Sequence, residues 1–262
     1  MRLIMALSKK RQDDEPIVKS AKRVLEIFEY FVENQKPASV NDIVSGLGYP
    51  QSSTSSLLKS LTLLRYLQYN RVERTYYPTM RVSLLGGWLS DELFSGASLS
   101  QIVNDLHKKS GQSVIIGLQN DIYAQYVYVM QPKQTNLPWY LKPGSLRPLC
   151  NSAIGRIILS YKSDVEVMNL YRKIYAFETT SHKRIDSGKL ILELDRIRHQ
   201  GYAYTEGTVN PKAGVIATHI PTQLHQPVMA IGIGGSIEVI RKNKIKFLKM
   251  MQSVLEPYQI QL

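Results

Sequence analysis

The chain has 262 residues, 44% of them hydrophobic, which is enough to bury a sizeable core and suits two domains better than one. Its single cysteine excludes an internal disulfide, and no run of about 18 apolar residues predicts a transmembrane helix. The formal charge of +12 favours a polyanionic partner such as nucleic acid.

The charge does not by itself locate a nucleic-acid site. Residues 1–92 carry 13 basic and 10 acidic side chains, whereas residues 93–262 carry 20 and 11. The lysines of the stretch IRKNKIKFLKMM lie beside an apolar helix face and are typical of a solvated surface. At the N-terminus, the apolar part of MRLIMALSKKRQDDE is too short for a signal-peptide core, so we expect a cytoplasmic protein without a membrane partner.

Three helical patterns occupy the N-terminal part of the chain. The first, SAKRVLEIFEYFVE, has apolar residues at helical spacing. The second, in PASVNDIVSGLGYP, has Ser39 as its N-cap, Asp42 three residues later, and Gly48 and Pro50 at its end. The third begins near Pro50 and continues through QSSTSSLLKSLTLL.

The third helix has an apolar side and a polar side. The apolar side consists of Thr54, Leu57, Leu58, Leu61 and Leu64. The helix also contains five consecutive residues with hydroxyl side chains, Ser52 to Ser56. Such residues favour caps and turns over helix interiors, so their presence here indicates a contact with something outside the helix. This order of elements, namely a helix, a short helix, a turn and a helix with a polar N-terminal face, predicts a helix-turn-helix motif. The last helix of such a motif enters the major groove of DNA. The predicted DNA contacts on this helix are Gln51, Ser52, Ser53, Ser55, Ser56 and Lys59.

The segment YLQYNRVERTYYP alternates as two short strands around a polar turn. A hairpin that follows a helix-turn-helix motif is a wing, and we predict that Arg71 and Arg74 of this hairpin contact DNA. From the residues alone, one alternative stays open, in which a three-helix bundle with a hairpin binds protein or nothing.

These N-terminal residues resemble the IclR family of bacterial transcription regulators. The family's recognition helix reads approximately GLPKSTVHRLLxTLxxLGYV, and GYPQSSTSSLLKSLTLLRYL aligns with it without a gap. Ser55 and Ser56 stand where members of the family often carry His or Arg. We therefore expect Gln51 and Lys59 to supply more of the contacts that recognise the DNA sequence.

Three blocks in the second half are similar to the same family. The block GSLRPLCNSAIGRIILS is similar to GxxxPLHATALGKALLA, GYAYTEGTVNPKAGVIATHIP to GYAxDxEExxxGVxCIAAP, and AIGIGGSIEVI to AISISGPISRI. The middle block has two more residues between its glycines than the family pattern, and its acidic cluster is reduced to Glu206. Other departures from the family residues are Cys150, Arg156, Ala217, Gly232 and Gly234.

The resemblance implies an α+β protein with two domains. We expect a winged helix-turn-helix DNA-binding domain over residues 17–79, a connecting helix or linker over 80–97 with a weak point at Gly86 and Gly87, and a GAF-like α/β effector-binding domain over 98–262. The implied function is that of a ligand-responsive transcription regulator. It is expected to bind a double-stranded DNA operator as a homodimer or a dimer of dimers.

The resemblance also implies where a small carboxylate effector binds. By position, the backbone N–H groups of Ala153 and Ile154 receive the carboxylate, and amides that open a helix form a sound anion site. Three wall residues are smaller than in the family, which favours an aromatic or extended carboxylic acid. The complete predicted effector site is Cys150, Asn151, Ser152, Ala153, Ile154, Thr205, Glu206, Ala217, Gly232 and Gly234.

Enzymatic, metal and cofactor functions are disfavoured by the sequence. The alternative function is a thiol-dependent hydrolase-like enzyme on the C-terminal domain, with Cys150 as nucleophile and a vestigial DNA-binding domain. No nucleophile motif surrounds Cys150, and a buried cysteine is commonly an inert apolar residue. The five histidines show no paired metal-ligand spacing, and GIGGS lacks the Gly-Lys-Ser/Thr ending of a phosphate loop, so we expect neither a metal nor a cofactor.

Overall fold

Five stretches of the chain are described by the computed structural model, namely residues 17–93, 99–132, 141–177, 184–221 and 226–259. The chain divides between Ser95 and Gly96 into two units. The first unit contains α1 (Lys19–Asn34), α2 (Val40–Leu47), α3 (Gln51–Leu63), β1 (Leu67–Asn70), β2 (Thr75–Pro78) and α4 (Arg81–Leu93).

The second unit contains helices and strands in a mixed order, which confirms the predicted α+β class. Its elements are α5 (Leu99–Ser110), β3 (Ser113–Asn120), β4 (Tyr123–Met130), β5 (Leu146–Pro148), a 3₁₀ turn (Leu149–Asn151), α6 (Ala153–Ser160), α7 (Asp164–Phe177), α8 (Ser187–Gln200), β6 (Tyr202–Glu206), β7 (Ala213–Ile220), β8 (Met229–Ser236), α9 (Ile237–Lys242) and α10 (Lys244–Gln259). Within the described residues, no helix combines the length and the apolar composition needed to cross a membrane.

The apolar sides of α1, α2 and α3 meet in one core with the wing. The buried core residues are Ile27, Phe31, Ala38, Ile43, Leu58, Leu61, Leu67 and Tyr76. Removal of these side chains from water is the main term that holds the helices together. Leu64, predicted on the apolar side of α3, is instead 59% exposed, because α3 ends at Leu63 and Leu64 is its C-cap residue.

Helix α2 is bounded by two local signals that the sequence predicts. The backbone N–H of Asp42 donates to the Ser39 hydroxyl, and the Ser39 N–H donates to the Asp42 carboxylate at 2.8 Å, so the capping box is formed. At the other end, Gly48 is the C-cap residue and has a left-handed φ of 70°, which glycine adopts without steric cost. These two ends set the turn from which α3 begins.

Strands β1 and β2 pair antiparallel as the predicted hairpin, with Asn70 opposite Thr75. The Asn70 side-chain oxygen accepts hydrogen bonds from the N–H groups of Val72 at 2.9 Å and Glu73 at 3.2 Å. Side-chain bonds of this kind hold the backbone of a tight turn in one conformation. The wing turn is therefore internally braced.

Helix α4 continues without interruption through Gly86 and Gly87, so the weak point suggested by these glycines does not break the helix. Glycine lowers helix propensity by about 1 kcal/mol relative to alanine, but it does not by itself end a helix. Residues 94–97 of the predicted connection, and residue 98 of the predicted effector-binding domain, lie outside the described residues.

A six-stranded antiparallel sheet in the order β5-β4-β3-β8-β7-β6 forms the centre of the second unit. Its two faces are distinguished by the helices that cover them. On the α6 face, the Ile154 side chain packs over Gly117 and Gly232. On the opposite face, called here the α9 face, Ile240 packs over Gly214. Because side chains alternate between faces along a strand, these contacts assign the residues of β6, β7 and β8, and those of β3 that pair with β8, to one face or the other. The pairing of β3 with β4 has a register shift between Ile116 and Gly117, so the alternation does not carry through β4.

Arg65, between α3 and β1, has a left-handed backbone conformation with φ 66°. A side chain at this φ brings Cβ close to the backbone and costs about 1 kcal/mol or more, which glycine avoids. The IclR pattern has glycine at the aligned position. The sequence comparison alone therefore contained the signal for this strained position, although the φ itself is visible only in the structure.

We expect the substitution Arg65→Gly to raise the free energy of unfolding by about 0.5–1 kcal/mol, because glycine removes the steric cost while its greater freedom in the unfolded chain offsets part of the gain. Urea titration of the full chain measures the change. The control Gly48→Ala introduces a Cβ at φ 70° and should destabilise the protein instead. An Arg65→Gly protein that is less stable than the parent contradicts the assignment of strain.

Candidate functional site

The first unit presents one polar helix face to solvent. Gln51, Ser52, Ser56 and Lys59 are exposed and Ser55 is half-buried; we call these five residues the polar face of α3. The opposite side of the helix carries the buried residues Thr54, Leu58 and Leu61. Five of the six residues predicted to contact DNA on this helix are therefore brought together on one accessible surface.

The hydroxyl run is partly satisfied within α3 itself. The Ser56 hydroxyl donates to the Ser52 carbonyl oxygen at 3.0 Å, and the hydroxyls of Ser53 and Thr54 both donate to the Pro50 carbonyl oxygen at 3.0 Å. A hydroxyl that donates to a carbonyl keeps its lone pairs as acceptors. In this arrangement the Ser56 hydroxyl can accept a hydrogen bond from a base amino group without losing its bond to the helix.

Ser53, the sixth predicted contact on α3, is directed toward α1 rather than lying with the polar face. Its hydroxyl accepts a hydrogen bond from Arg23 Nη1 at 3.3 Å, and the Arg23 guanidinium lies 4.9 Å from the centre of the Tyr49 ring. The Tyr49 hydroxyl donates to Glu26. Arg23 is thereby held beside the start of α3, a position that sequence reasoning missed because its only local signal is one cation in an amphipathic helix.

The wing brings the two predicted arginines into one exposed turn. Arg71 and Arg74 are both exposed, and Arg74 has a left-handed φ of 54° just before β2. The turn between them is braced by the Asn70 side chain described above. Both cations are thus available to an anionic partner.

In the second unit, the start of α6 presents backbone amides. Ser152 is the N-cap residue, and its hydroxyl accepts from the Gly155 N–H at 3.0 Å while its carbonyl accepts from the Arg156 N–H at 2.9 Å. The first amides of a helix have no partner within the helix. These two hydrogen bonds involve the amides of Gly155 and Arg156, and not those of Ala153 and Ile154, the first two residues of α6.

Gly155 allows the turn Leu149–Asn151 to lie against α6. A Cβ on Gly155 would lie 2.2 Å from the Leu149 carbonyl oxygen and 2.6 Å from its Cα. Real Cβ atoms essentially never approach backbone that closely. Glycine is therefore required by the contact between the two backbones, and the buried residues Cys150 and Asn151 lie in the turn that this contact positions.

Arg156 connects the same turn to α8. Its side chain is 6% exposed, its Nε donates to the Cys150 carbonyl oxygen at 2.9 Å, and its guanidinium pairs with Glu193. A guanidinium has several donors in one plane, whereas a lysine has a single ammonium group. The only signal in the sequence for this link between the turn and α8 was the presence of Arg where the family usually has Lys.

Four of the predicted wall residues share the α6 face. Ala217 lies opposite Gly232 on neighbouring strands, and the next row along the strands contains Gly234 and Thr205, which both pair with Val215. Thr205 is 5% exposed and the other three are buried. The structure thus brings these four residues onto the sheet surface that α6 partly covers.

The small wall residues do not all create empty space. A Cβ on Gly232 would lie 3.0 Å from Ile154 Cδ1 and 3.3 Å from Val215 Cγ1, which is tighter than most real contacts. A Cβ on Gly234 would make ordinary contacts of 3.5 Å with Ile115 and Val215. The volume that Gly232 frees is therefore taken by neighbouring side chains, so the argument from small residues to a bulky ligand is wrong at this position.

Glu206, predicted as a wall residue of the effector site, lies on the α9 face instead. It pairs with Gly214, and its carboxylate accepts hydrogen bonds from Arg241 Nε at 3.2 Å and from the Tyr204 hydroxyl at 2.6 Å. The hydrogen bond from Arg241, followed by that from Tyr204, holds the pKa of Glu206 below its usual range. Because Thr205 faces α6, its neighbour must face the other way, and Glu206 does not belong to the site.

Cys150 is fully buried, which removes the access that a nucleophilic thiolate needs. Among the residues that the structure describes, no group of three or more His, Cys, Asp or Glu side chains could hold a metal ion. Two of the five histidines, His182 and His225, lie outside those residues.

Comparisons with known proteins agree with both units. The domain described as "IclR helix-turn-helix domain" matches residues 20–71, and "Bacterial transcriptional regulator IclR C-terminal" matches residues 96–256. The chain belongs to the IclR family.

Two regulators and one solved structure of the family are similar over most of the chain. HTH-type transcriptional regulator XynR of Escherichia coli is 24% identical over 80% of this chain and 82% of its own. The glycerol operon regulatory protein of Streptomyces coelicolor is 24% identical over 84% of this chain and 86% of its own. The crystal structure of Thermotoga maritima IclR covers 90% of this chain and 96% of its own, with 19% identity and a TM-score of 0.67.

As a member of the IclR family, the protein is a ligand-responsive, DNA-binding transcription regulator and not an enzyme. The hydrolase-like alternative has no support from the family or from the buried position of Cys150. The family match also confirms the winged helix-turn-helix and GAF-like architecture that the resemblance implied.

We expect Gly155→Ala to lower the free energy of unfolding of this IclR-family protein by about 3 kcal/mol, because its new Cβ overlaps the Leu149 backbone and forces the turn away from α6. Thermal and urea unfolding measure the loss. The control is Gly188→Ala, also in the first turn of a helix, where the nearest atom is the Asp186 carboxylate at 3.3 Å and the helix propensity of alanine is favourable. Equal effects of the two substitutions contradict the close approach.

Proposed function

We propose that this regulator binds its operator through the polar face of α3 and the wing, and that a slender carboxylic acid bound at the start of α6 is its effector. The exposure of the polar face, opposite the buried residues Thr54, Leu58 and Leu61, supports the first part. The amides of Ala153 and Ile154 beside an uncharged sheet surface support the second.

On DNA, the side chains of the polar face differ in what they can contribute. Gln51 can form two hydrogen bonds with an adenine edge, whereas Lys59 is a point charge suited to a phosphate. The serines are short enough for the helix backbone to approach the groove, and Ser56 offers acceptor lone pairs. Arg71 and Arg74 of the wing are proposed to contact the DNA backbone or the adjacent minor groove.

The regulator is proposed to act in the cytoplasm as a homodimer or a dimer of dimers on a pseudo-palindromic operator. Helix α1 exposes Leu25 by 64% and Val32 by 70%, and helix α4 exposes Leu84 by 72% and Leu85 by 58%. Large apolar side chains exposed on two helices are suited to burial against a second copy. A symmetric pair of recognition helices would read two half-sites separated by about one helical turn of DNA.

The first experiment concerns DNA. Lys59→Ala should weaken binding to the DNA that flanks the protein's own gene and should reduce the slope of log affinity against log salt by about 0.9, because one phosphate contact is lost. Fluorescence anisotropy over a salt series measures both quantities. Lys36→Ala, an exposed lysine in the loop after α1, is the matched control and should change neither. If Lys59→Ala behaves like the control, α3 does not lie in the groove as proposed.

The effector proposal follows from the charge and the shape of the second unit. The positive end of α6 favours an anion, and the two available amides can donate to one carboxylate. An aromatic ring is disfavoured because Ile154 and Val215 close over Gly232. Of the two acid types favoured by the sequence, the extended acid is therefore the one proposed.

The second experiment concerns the effector. Thermal unfolding with a panel of carboxylic acids should identify an acid that raises the midpoint, because a ligand bound only by the folded state stabilises it. Ser152→Asp should abolish this shift, since it adds a negative charge beside the amides while aspartate still caps a helix. The control Ser152→Asn has the same shape without the charge and should keep most of the shift.

Operator binding by Ser152→Asp should be normal, which shows that the variant is folded and that only the effector site is affected. A Ser152→Asp protein that responds to the acid as the parent does would place the effector elsewhere. The DNA proposal would then stand unchanged, because its evidence lies in the other unit.

A further inference from the structure

The Ser113 hydroxyl is a buried polar group without a hydrogen-bond partner among the residues that the structure describes. Ser113 begins β3 and is 2% exposed. A buried hydroxyl without a partner is unfavourable, and most buried polar groups in proteins are hydrogen-bonded. This atom therefore requires an explanation, and the sequence had not singled it out.

The hydroxyl lies on the α6 face, beside the proposed effector site. Ser113 pairs with Gly234, which also pairs with Val215, so its side chain shares a row with Val215 and Thr205. The neighbouring row contains Gly232, over which Ile154 of α6 packs.

The register gives an approximate distance from Ser113 to Gly232, the residue over which the Ile154 side chain packs. With a rise of about 3.4 Å per residue and a strand spacing of about 4.8 Å, the Cα atoms of Ser113 and Gly232 are roughly 8 Å apart. Ser113 therefore lies within a few residues of the part of the sheet that α6 contacts, on the same face. An extended acid held at the start of α6 and lying along this face would supply the partner that the hydroxyl lacks.

The surroundings of Ser113 determine which group it can receive. On the β8 side of Ser113 the row continues through Gly234, Val215 and Thr205, and on the β4 side Val114 pairs with Met130, which Gln131 follows; none of these residues is charged. A second carboxylate placed there would be buried without an opposite charge, which is strongly unfavourable. A hydroxyl or carbonyl group is neutral, and a serine hydroxyl can bond either one because it both donates and accepts.

We propose that Ser113 is a specificity-determining contact of the effector site and selects slender acids that carry a hydroxyl or carbonyl group several bonds from the carboxylate. The proposal rests on the proposed effector site and adds the class of acid and the residue that reads it.

The experiment compares matched acids on the full chain. The probes are the straight-chain acids from propanoate to hexanoate, their terminal hydroxy analogues, and the pair pentanoate and 4-oxopentanoate, all measured by calorimetry and thermal unfolding. At least one hydroxy or oxo acid should bind the parent protein about five- to tenfold more tightly than the matched unsubstituted acid. The reason is that the unsubstituted acid leaves the buried Ser113 hydroxyl without a hydrogen bond, which weakens its binding.

Two variants separate a ligand contact from a packing role. Ser113→Ala should remove the preference within the matched pair, and without ligand its unfolding midpoint should rise by about 2–4 °C, since a buried unpaired hydroxyl has been deleted. The control is Ser145→Ala, at a buried serine whose hydroxyl accepts from the Lys142 N–H at 3.2 Å. It should lower the midpoint and leave the preference unchanged.

The outcomes distinguish this inference from the effector proposal. If no acid of the panel or of the matched series binds the parent protein, the effector proposal fails. If acids bind but substituted and unsubstituted partners bind equally, or if Ser113→Ala keeps the preference, the role of Ser113 is wrong and the effector site stands. A lower midpoint for Ser113→Ala shows that its hydroxyl has a structural partner and also overturns the inference.

Discussion

The backbone of α6 at Gly155 lies against the backbone of Leu149, and the geometry of the proposed effector site depends on this contact. It places the turn Leu149–Asn151 directly beside the first turn of the helix. Arg156 adds a hydrogen bond to the carbonyl of that turn, and Ser152 caps the helix start. Because these interactions are all made by the protein itself, the start of α6 is oriented without a ligand, and the proposed binding of an acid there would require little further ordering.

The glycines of β8 have complementary effects on the two faces of the sheet. Gly232 lets Ile154 pack closely on the α6 face, whereas a Cβ on Gly235 would lie 2.2 Å from Gln112 Oε1 on the α9 face. Since successive residues of a strand face opposite sides, nearby glycines allow elements on both sides to approach one strand. Glycines therefore let neighbouring elements lie close to β8 on both faces of the sheet.

The sequence predicted features that depend on neighbouring residues and missed those that depend on tertiary pairing. The capping box of Ser39 and Asp42 joins residues three positions apart, so spacing alone reveals it. The face of Glu206 depends on strand register, where a shift of one residue reverses a side chain, and the aligned family block differs in length at that segment. The pairing of Arg156 with Glu193 joins residues 37 positions apart and has no local pattern.

If α3 is the recognition helix as proposed, its composition leaves most of the electrostatic part of DNA binding to other elements. Lys59 is the single cation in Gln51–Leu63, although contacts between cations and phosphates supply much of the affinity of such proteins. We infer that Arg23 of α1, beside the start of α3, supplies part of the remaining charge together with Arg71 and Arg74 in the wing. The polar face of α3, with one cation and four uncharged side chains, is then suited to distinguishing bases, while the arginines are suited to contacts with the DNA backbone.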